Sequence, residues 1–375
     1  MRFSKCRWFN DHQAVCSLMI DDLAPVAVSL DGKLGPHNDW GYLLDGPDSL
    51  FSYFQLHLLD EFPALKGTIF LPLESYKEIP LDRGCSVFKR DIDRPFVEFT
   101  ERLAPRFELA FHGIRHTYEE NGKCCFEFEG RRQEDFSKLK KTIDKYSAMG
   151  IRFSGGKFPG YKYDPTAIEF ISFMNYSWFA LSAAMLNRKS AGNGLTYIEG
   201  TSIVDVPTNL SGDIFNVASG KKRWLKRTIK RVLEPNAHVR PEKYVQYLYT
   251  SGFPITVQEH FQNQGTGGKR QKPNIHDDIL SLRRIFSLLR PLDIWYAKCS
   301  ELAHYYDSYV HTELAQPGRG EIEIRYQGRW DHMLLSFRSD APALKYAASG
   351  LPVQGLFKNG EYIYNSLPPG RFVVA

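Results

Sequence analysis

The chain has 375 residues, of which 43% are hydrophobic and 24% charged, and its formal net charge is +5. These fractions are typical of soluble globular proteins, and so mild a charge gives no argument for a nucleic-acid partner. No segment reaches the ~20 apolar residues of a membrane-spanning helix, and the polar N-terminus lacks the apolar region of a signal peptide. None of the cysteines forms a C-x-x-C pair. We therefore expect a cytoplasmic protein with reduced thiols and no cysteine zinc site.

From Ala14 to about Ala315, short apolar runs alternate with longer amphipathic segments. The predicted strands are 14–20, 66–73, 107–111, 151–154, 177–181, 202–206, 254–257 and 293–296. The predicted helices are 49–61, 95–103, 134–149, 165–174, 277–289 and 300–311. This alternation predicts an α/β fold around a parallel sheet, with active residues at the carboxyl ends of its strands.

The pattern changes after the sequence QPGRG at residues 316–320. Short strand candidates follow one another there, separated by Gly, Pro, Asp and Asn turns, which predicts a small all-β module. We expect two units, an α/β unit over residues 1–315 and a β-module over residues 318–375.

Two adjacent carboxylates, Asp21 and Asp22, follow the apolar run AVCSLMI. At the bend where a strand becomes a loop, both side chains can face one cleft. An Asp pair is also common at the start of a turn or at a helix cap. The pair is therefore a candidate site that needs partners.

Two histidines follow another predicted strand, in FELAFHGIRH. His112 and His116 are four residues apart and can converge on one metal if the chain between them makes a helical turn. They can equally be ordinary surface histidines. Two imidazoles with one carboxylate of the Asp pair would give a three-ligand site with an open position, which is typical of catalytic zinc.

Two further segments are weaker candidates when each is taken alone. The stretch GGKFPGYKYDP at 155–165 can bring backbone N–H groups close to a substrate, or it can be a tight turn. His260 lies just past the predicted strand 254–257, where a lone histidine is more often structural.

Taken in order, these pieces resemble the polysaccharide deacetylase family, the NodB-homology group also called carbohydrate esterase family four. The matching motifs are MIDD at 19–22, HGIRH at 112–116, KFPGY at 157–161 and VQEH at 257–260. The resemblance covers about residues 14–305. It implies a distorted (β/α)7-type barrel and metal-dependent removal of an N-acetyl group from a sugar.

The resemblance also implies a role for each matching residue. Asp22, His112 and His116 would bind a divalent metal, most simply zinc. Asp21 would be the general base that takes a proton from the attacking water. His260 would be the general acid that protonates the leaving amine, so that acid and base act on opposite sides of the acyl carbon.

The third motif departs from the family pattern. Lys157 stands where an arginine normally braces the base, and it can pair with a carboxylate only as a point charge. Gly160 adds one residue between Pro159, a predicted substrate contact, and Tyr161, whose backbone N–H would help to hold the oxyanion. Gly113 replaces the Ser or Thr that usually steadies the metal loop.

Substrate contacts are predicted from two further places. Asp205 is the candidate for the family's later aspartate, which tunes the catalytic histidine near the substrate. The insertion at 31–48 follows soon after the Asp pair and would lie over the cleft, unless it is an ordinary surface loop. Its candidate substrate contacts are His37, Asp39 and Trp40.

A basic segment at 221–233, KKRWLKRTIKRVL, predicts an amphipathic helix. It would either pack on the barrel with a solvated basic face or contact an anionic membrane surface or a phosphate-bearing substrate. Together with the missing signal peptide, this suggests a nucleotide- or lipid-pyrophosphate-linked N-acetylated sugar as substrate. The working context is surface-polysaccharide or O-antigen synthesis in the cytoplasm, at the inner membrane face.

Two alternatives remain open at this point. An amidase with the same barrel would act on a small non-sugar amide. A catalytically silent relative would bind glycan without hydrolysing it, although such relatives commonly lose at least one of the five acidic and histidine residues that this chain retains.

Overall fold

The computed structural model describes most of the chain. The described residues are 2–23, 26–27, 50–73, 88–89, 94–114, 116–120, 123–130, 133–181, 194–219, 240–261 and 272–375. The insertion 31–48, with His37, Asp39 and Trp40, lies outside them. The basic segment 221–233 lies outside them as well, so the structure gives no account of either feature.

The strands that precede residue 297 include the ten strands of one large sheet. In chain order they are β1 (Phe3–Lys5), β2 (Ala14–Asp21), β3 (Val26–Ala27), β4 (Gly67–Leu71), β5 (Phe88–Lys89), β6 (Phe107–Phe111), β7 (Thr117–Glu120), β8 (Lys123–Phe126), β9 (Gly155–Lys157), β10 (Trp178–Ala180), β11 (Thr196–Tyr197), β12 (Val204–Asp205), β13 (Leu210–Ser211), β14 (Ile255–His260) and β15 (Ile294–Tyr296).

Helices separate most of the strands of the large sheet. They are α1 (Leu50–Phe54), which continues as a π-helical turn over Gln55–Leu59, α2 (Arg94–Leu103), α3 (Phe136–Ala148), α4 (Pro165–Phe173), α5 (Ile214–Ser219), α6 (Pro241–Ser251), α7 (Ile275–Leu289) and α8 (Cys299–His311). Local signals explain some of their ends. Asp164 caps α4 by accepting the N–H of Ala167, and Gly252 ends α6 in the left-handed conformation.

The large sheet has the strand order β11-β12-β10-β9-β6-β4-β2-β14-β13, with β15 beside the start of β2. The neighbours from β12 to β13 run parallel, and only β11 is antiparallel to its partner. β12 and β13 stand near opposite ends of this order, yet only residues 206–209 connect them, a span of at most about 18 Å. The sheet therefore curls into a distorted barrel, and the predicted α/β fold is confirmed.

The two faces of this sheet carry two separate apolar clusters. Along β2, Leu18 and Ile20 pack in the cluster under the helices, whereas Val15 and Met19 pack in a second cluster inside the curled sheet. The same alternation along β10 places Phe179 under the helices. The period of two residues in a strand thus separates a helix-covered face from an inner face.

One predicted strand was misplaced. The apolar stretch 151–154 is irregular, and the strand is formed by the following Gly155–Lys157. A Cβ at Gly155 would lie 2.3 Å from the Trp178 carbonyl oxygen, and one at Gly156 would lie 2.4 Å from the Phe111 carbonyl oxygen. Only glycine lets the backbone of this strand approach its two neighbours so closely.

The C-terminal region forms two antiparallel sheets, as the turn-rich sequence predicted. The strands are β16 (Thr312–Ala315), β17 (Glu321–Tyr326), β18 (Ser336–Ser339), β19 (Ala343–Tyr346), β20 (Pro352–Gln354), β21 (Leu356–Lys358), β22 (Glu361–Asn365) and β23 (Gly370–Val374). β1 joins one of these sheets by pairing with β18. The inner cluster of the large sheet continues through α8 into these sheets, where it includes Ile322, Phe337 and Phe372.

In the part of the chain that the structure describes, no helix has both the length and the apolar character needed to cross a membrane. The cysteines Cys6, Cys16 and Cys299 are buried free thiols.

Candidate active site

The Asp pair lies at the carboxyl end of β2, on the rim of the curled sheet. Asp21 is the last residue of the strand and shares the inner face with Met19, because strand side chains alternate. Asp22 would point the opposite way if the strand continued, but its φ of 65° turns the chain there. Both carboxylates are buried at this rim. The bend thus explains how two consecutive acids occupy one cleft.

The two histidines meet Asp22 from the end of β6. His112 follows the strand, and its Nε2 lies 3.4 Å from Asp22 Oδ1. His116 Nε2 lies 3.3 Å from the same oxygen. The Nδ1 of His112 is 2.9 Å from the carbonyl oxygen of Lys157. Because a carbonyl only accepts, Nδ1 must donate there, and Nε2 faces the carboxylate.

These three residues fit a divalent metal. One ligand atom from each of Asp22, His112 and His116 can be chosen so that all lie within 4.8 Å of one another. Both oxygens of Asp22 are buried without a hydrogen-bond partner among the described residues, which is costly for a carboxylate unless a cation balances it. Two imidazole nitrogens and one carboxylate oxygen suit zinc and leave a coordination position open.

Burial and the neighbouring charges favour the metal-binding forms of Asp22 and His116, whereas the Asp21 and Asp22 carboxylates outweigh burial and raise the pKa of His112. Burial alone would raise the pKa of Asp22, but His116 and His112 outweigh it and hold this pKa well below its usual value. Burial lowers the pKa of His116 to about 4, although the Asp22 carboxylate opposes the shift. Near neutral pH, Asp22 is therefore ionised and His116 is neutral, as metal ligation requires.

Asp21 is held by a buried cation. Lys157 Nζ lies 2.5 Å from Asp21 Oδ2, and the side chain of Lys157 packs over the rings of Tyr161 and Phe70 at 4.6 and 5.0 Å. Burial by itself lowers the pKa of Lys157, but Asp21 and Tyr161 more than compensate, and this pKa ends above its ordinary value. Lys157 is therefore charged, and it takes the place that the sequence assigned to it beside the acid.

The two oxygens of Asp21 differ in their surroundings. Oδ2 also accepts a hydrogen bond from Gln258 Nε2 at 3.1 Å and lies 3.6 Å from His260 Nε2. Oδ1 is buried and accepts no hydrogen bond from any residue that the structure describes. One oxygen thus fixes the carboxylate, and the other keeps its lone pairs available to a substrate or a water molecule.

His260 is the last residue of β14 and faces Asp21 from the neighbouring strand. Its Nδ1 lies 2.7 Å from the carbonyl oxygen of Pro273, so Nδ1 donates to that oxygen and Nε2 points to the site. Asp205 was the candidate for the aspartate that tunes this histidine. In the structure, the contact to His260 Nδ1 comes from the Pro273 carbonyl oxygen, and Asp205 accepts from the N–H of Leu181 at 3.3 Å.

Asp205 lies on the other face of the sheet from the metal ligands. Its neighbours Val204 and Val206 belong to the inner cluster, so Asp205 points to the helix-covered face. There it lines a cavity of about 870 Å³, together with residues such as Tyr163 and Glu199. As a substrate contact, Asp205 would serve this cavity rather than the metal cluster.

The loop after β9 differs from its predicted role. Residues Pro159–Tyr161 form a 3-10 turn with Gly160 at φ 58°, and the backbone N–H of Tyr161 donates to the Phe158 carbonyl oxygen at 3.0 Å. This N–H is therefore not directed at an oxyanion. Pro159 is buried and packs against Gly113 of the metal loop.

The side chain of Tyr161, rather than its backbone, connects to the site. Its hydroxyl lies 2.6 Å from Thr208 Oγ1 and 2.8 Å from Gln258 Oε1. Gln258 in turn holds Asp21, so Thr208, Tyr161 and Gln258 form one network behind the carboxylate. Sequence reasoning missed Gln258, although alternation along β14 places it on the same face as His260.

No model of a known protein family matches the sequence, and no curated protein matches it either. Solved structures with a similar chain course include a candidate polysaccharide deacetylase from Mycobacterium smegmatis (15% identity, TM-score 0.44, covering 84% of this chain and 98% of that one). Another is the PuuE allantoinase (12%, 0.42, 81% and 94%). A third is a carbohydrate esterase family four pseudoenzyme from Bacillus anthracis (11%, 0.33, 77% and 65%). At such low identities and TM-scores, the likeness carries no argument about what this chain does.

Proposed function

We propose that this protein is a metal-dependent hydrolase that removes an N-acyl group, most simply acetyl, from a sugar. The observation that carries the proposal is the buried cluster of Asp22, His112 and His116 beside the braced carboxylate of Asp21 and the imidazole of His260. These residues belong to the four sequence motifs that resemble polysaccharide deacetylases. The motifs occur in the expected order, and each lies at the end of a strand.

The metal would be held by Asp22 Oδ and by the Nε2 atoms of His112 and His116. When bound, a divalent metal such as zinc would polarise the acyl carbonyl and increase the acidity of a nearby water molecule. The hydrogen bond from His112 Nδ1 to the Lys157 carbonyl oxygen fixes which nitrogen is offered.

Asp21 is the proposed general base. Lys157 and Gln258 bind Oδ2 and fix the orientation of the carboxylate, while the unpaired Oδ1 is the atom that would accept a proton from the attacking water. Lys157 is a buried cation whose Nζ lies 2.5 Å from Oδ2, and it balances the negative charge of the carboxylate.

His260 is the proposed general acid. The Pro273 carbonyl oxygen holds its Nδ1, so Nε2 is the atom that would deliver a proton to the leaving nitrogen. His260 and the two histidine ligands enter the site from β14 and from β6, which lie on either side of β2 and β4 in the sheet. The proposed acid therefore approaches from the side opposite to His112 and His116, with Asp21 and Asp22 at the end of β2 between them.

The finer predictions about substrate and place extend this proposal. A nucleotide- or lipid-pyrophosphate-linked sugar, O-antigen synthesis and a cytoplasmic location rest on the sequence alone. The membrane contact through 221–233 belongs to the same group of predictions, because that segment lies outside the described residues.

The test combines metal analysis with an activity panel. Purified protein, before and after zinc loading, is analysed for metal content and then assayed with N-acetylated sugars, with nucleotide-linked N-acetylated sugars and with allantoin-like amides. About one zinc per chain with acetate release from sugars supports the proposal. Activity on the small amides alone would favour the amidase, metal without any turnover would favour a silent glycan-binding protein, and no bound metal would end the hydrolase interpretation.

A further inference from the structure

The loop that carries both histidine ligands contains a glycine where the resembling family has Ser or Thr. A Cβ added to Gly113 would lie 2.5 Å from Oε2 of Glu127, and the φ of Gly113 is +83°. The space next to this glycine is therefore filled by a carboxylate from another part of the chain. The Glu127 carboxylate thus lies where the side chain of a Ser or Thr at position 113 would otherwise be.

Three hydrogen bonds join Glu127 to the described residues of this loop. Its Oε2 accepts from the backbone N–H of Ile114 at 2.7 Å and from that of His116 at 3.2 Å. Its own N–H donates to the carbonyl oxygen of His116 at 3.1 Å. Glu127 is fully buried, so these hydrogen bonds are shielded from water.

The hairpin that follows the loop brings Glu127 back to it. β7 and β8 pair antiparallel, with Thr117 opposite Phe126. The next residues outward from this pair are His116 and Glu127, which must therefore face each other. A separation of eleven positions in the sequence becomes direct contact because the chain turns back on itself.

The conformation of His116 explains why such a contact is needed. This residue has a φ of +65°, in the left-handed region that a histidine adopts only at a cost in free energy. Glu127 binds both the N–H and the carbonyl of His116. It therefore stabilises the backbone conformation that directs the imidazole to Asp22.

We propose that Glu127 is a positioning residue for the metal ligand His116, replacing the hydroxyl that Gly113 lacks. The inference rests on the proposed function, since the imidazole that Glu127 positions is one of the proposed metal ligands. It adds that ligand geometry in this chain depends on a buried acid in the hairpin, and that Gly113 and Glu127 are complementary.

The experiment measures the dissociation constant for Zn²⁺ alone, by competition with a chelating indicator, on metal-free full-length protein. Glu127→Ala removes the acceptor and should weaken zinc binding about 10- to 100-fold, the usual effect of losing a contact that orients a ligand. Glu127→Gln keeps an acceptor oxygen and should restore most of the affinity. The side chain in Glu127→Asp is one methylene shorter and cannot reach both N–H groups. Its zinc affinity should lie between those of Glu127→Ala and Glu127→Gln.

Glu108→Ala is the matched control. Glu108 is also a carboxylate that accepts a backbone N–H, that of Ser300 at 2.9 Å, and it bonds the hydroxyl of Thr68 at 2.8 Å. It lies near the start of β6, away from the metal loop. Its loss should lower thermal stability and leave the zinc dissociation constant unchanged.

A folded Glu127→Ala protein that binds zinc as tightly as the wild type would overturn the inference. If Glu127→Ala does not fold, Glu127→Asp provides the test, because wild-type zinc affinity in that variant would also overturn the inference. A wild-type protein that binds no zinc would instead remove the proposed function, and with it the inference. Zinc binding without turnover would challenge only the proposed chemistry, because the effect of Glu127 is read from affinity.

Discussion

The inner face of the curled sheet has two ends with opposite character. Along β2 the inward side chains are Val15, Ser17, Met19 and Asp21, so one strand passes from apolar packing to charge within seven residues. At the amino end, this face packs on aromatic residues of α8 and the β-module. At the carboxyl end it meets the buried acids, imidazoles and lysine of the candidate site. Position along the strand, not the identity of the strand, decides which kind of chemistry a residue serves.

The two ends also differ in what burial does to the free energy. Apolar side chains at the amino end stabilise the fold by leaving water. Carboxylates at the carboxyl end lose hydration and must be balanced by a cation or a hydrogen bond. Lys157 balances Asp21, whereas in the described part of the chain both oxygens of Asp22 lack a hydrogen-bond partner. Substitutions at the carboxyl end should therefore change binding and turnover, and those at the amino end should change stability.

The largest effect is expected from Asp22→Ala at the carboxyl end. This change removes the only carboxylate of the ligand cluster and should abolish stoichiometric zinc binding and all turnover. Metal content after zinc loading and dialysis is the measurement. Because the histidines lower the pKa of Asp22, the folded protein favours the ionised carboxylate, and thermal stability of the metal-free protein near neutral pH should fall as well. A variant that still carries one zinc per chain would show that the ligand assignment is wrong.

Asp21→Asn should separate the two neighbouring acids. The amide has nearly the same shape but cannot accept the proton, so zinc binding should persist while turnover falls by about 10²- to 10⁴-fold. The measurement is metal content together with initial rates on whichever substrate the activity panel identifies. Turnover close to that of the wild type would remove Asp21 from the role of base.

Phe337→Ala tests the amino end of the comparison. Phe337 is fully buried in the inner cluster, and its ring stacks on Phe3 with 5.1 Å between centroids. Losing it should lower the free energy of unfolding by about 3–5 kcal/mol. Zinc affinity should not change in the folded fraction. Urea unfolding measures the first effect and a zinc titration below the transition measures the second.

Phe357→Ala is the control for that change within the same β-module. Phe357 is 63% exposed, so its removal should alter stability by no more than about 0.5 kcal/mol. A loss of zinc affinity in Phe337→Ala, with Phe357→Ala unaffected, would show that the two ends are coupled. The separation of stability from binding along the inner face would then fail.

Local sequence signals were sufficient for much of the fold. The predicted strand 107–111 has the same bounds in the structure, because its apolar run is interrupted only by Glu108. The start of α4 follows from Asp164 as a cap and Pro165 as the first helical residue. In contrast, the strand at 155–157 begins with two glycines, and glycine has no strand propensity. Glycine is needed there because the neighbouring strands lie too close for a side chain, and the local sequence gives no sign of that closeness.

The candidate site shows the same limit. Strand ends placed Asp21 and His112 at one rim, but the contacts that orient them come from distant parts of the chain. Gln258 and Glu127 were missed because their roles depend on which strand lies beside β2 and on where the hairpin returns. Asp205 was assigned to His260, yet alternation of side chains along β12 turns it to the other face.

The smallest predicted effect concerns Glu259, which lies beside His260 in sequence but on the opposite face of β14. Its carboxyl group is fully buried, and neither oxygen has a hydrogen-bond partner within the residue ranges that the structure describes. Burial raises the pKa of Glu259 well above its usual value, and Asp278 and Asp213 add to the shift. Between the ordinary glutamate pKa and this raised value, the folded protein binds a proton that the unfolded chain has released. Stability should therefore fall as the pH rises through this range.

Glu259→Gln replaces the titrating carboxyl group with a neutral amide. The free energy of unfolding should therefore decline less steeply from pH 5 to pH 8 than in the wild type. One proton can contribute at most about 1.36 kcal/mol per pH unit. The measurement is urea unfolding of both metal-free proteins at a series of pH values, in which the ligand histidines titrate alike and cancel in the difference. Glu101→Gln, at an exposed carboxylate, should leave the wild-type slope unchanged. Parallel slopes for Glu259→Gln and the wild type would mean that Glu259 is ionised in the folded protein. A buried charge near the carboxyl ends of the strands would then be tolerated on the helix-covered face as well as on the inner face.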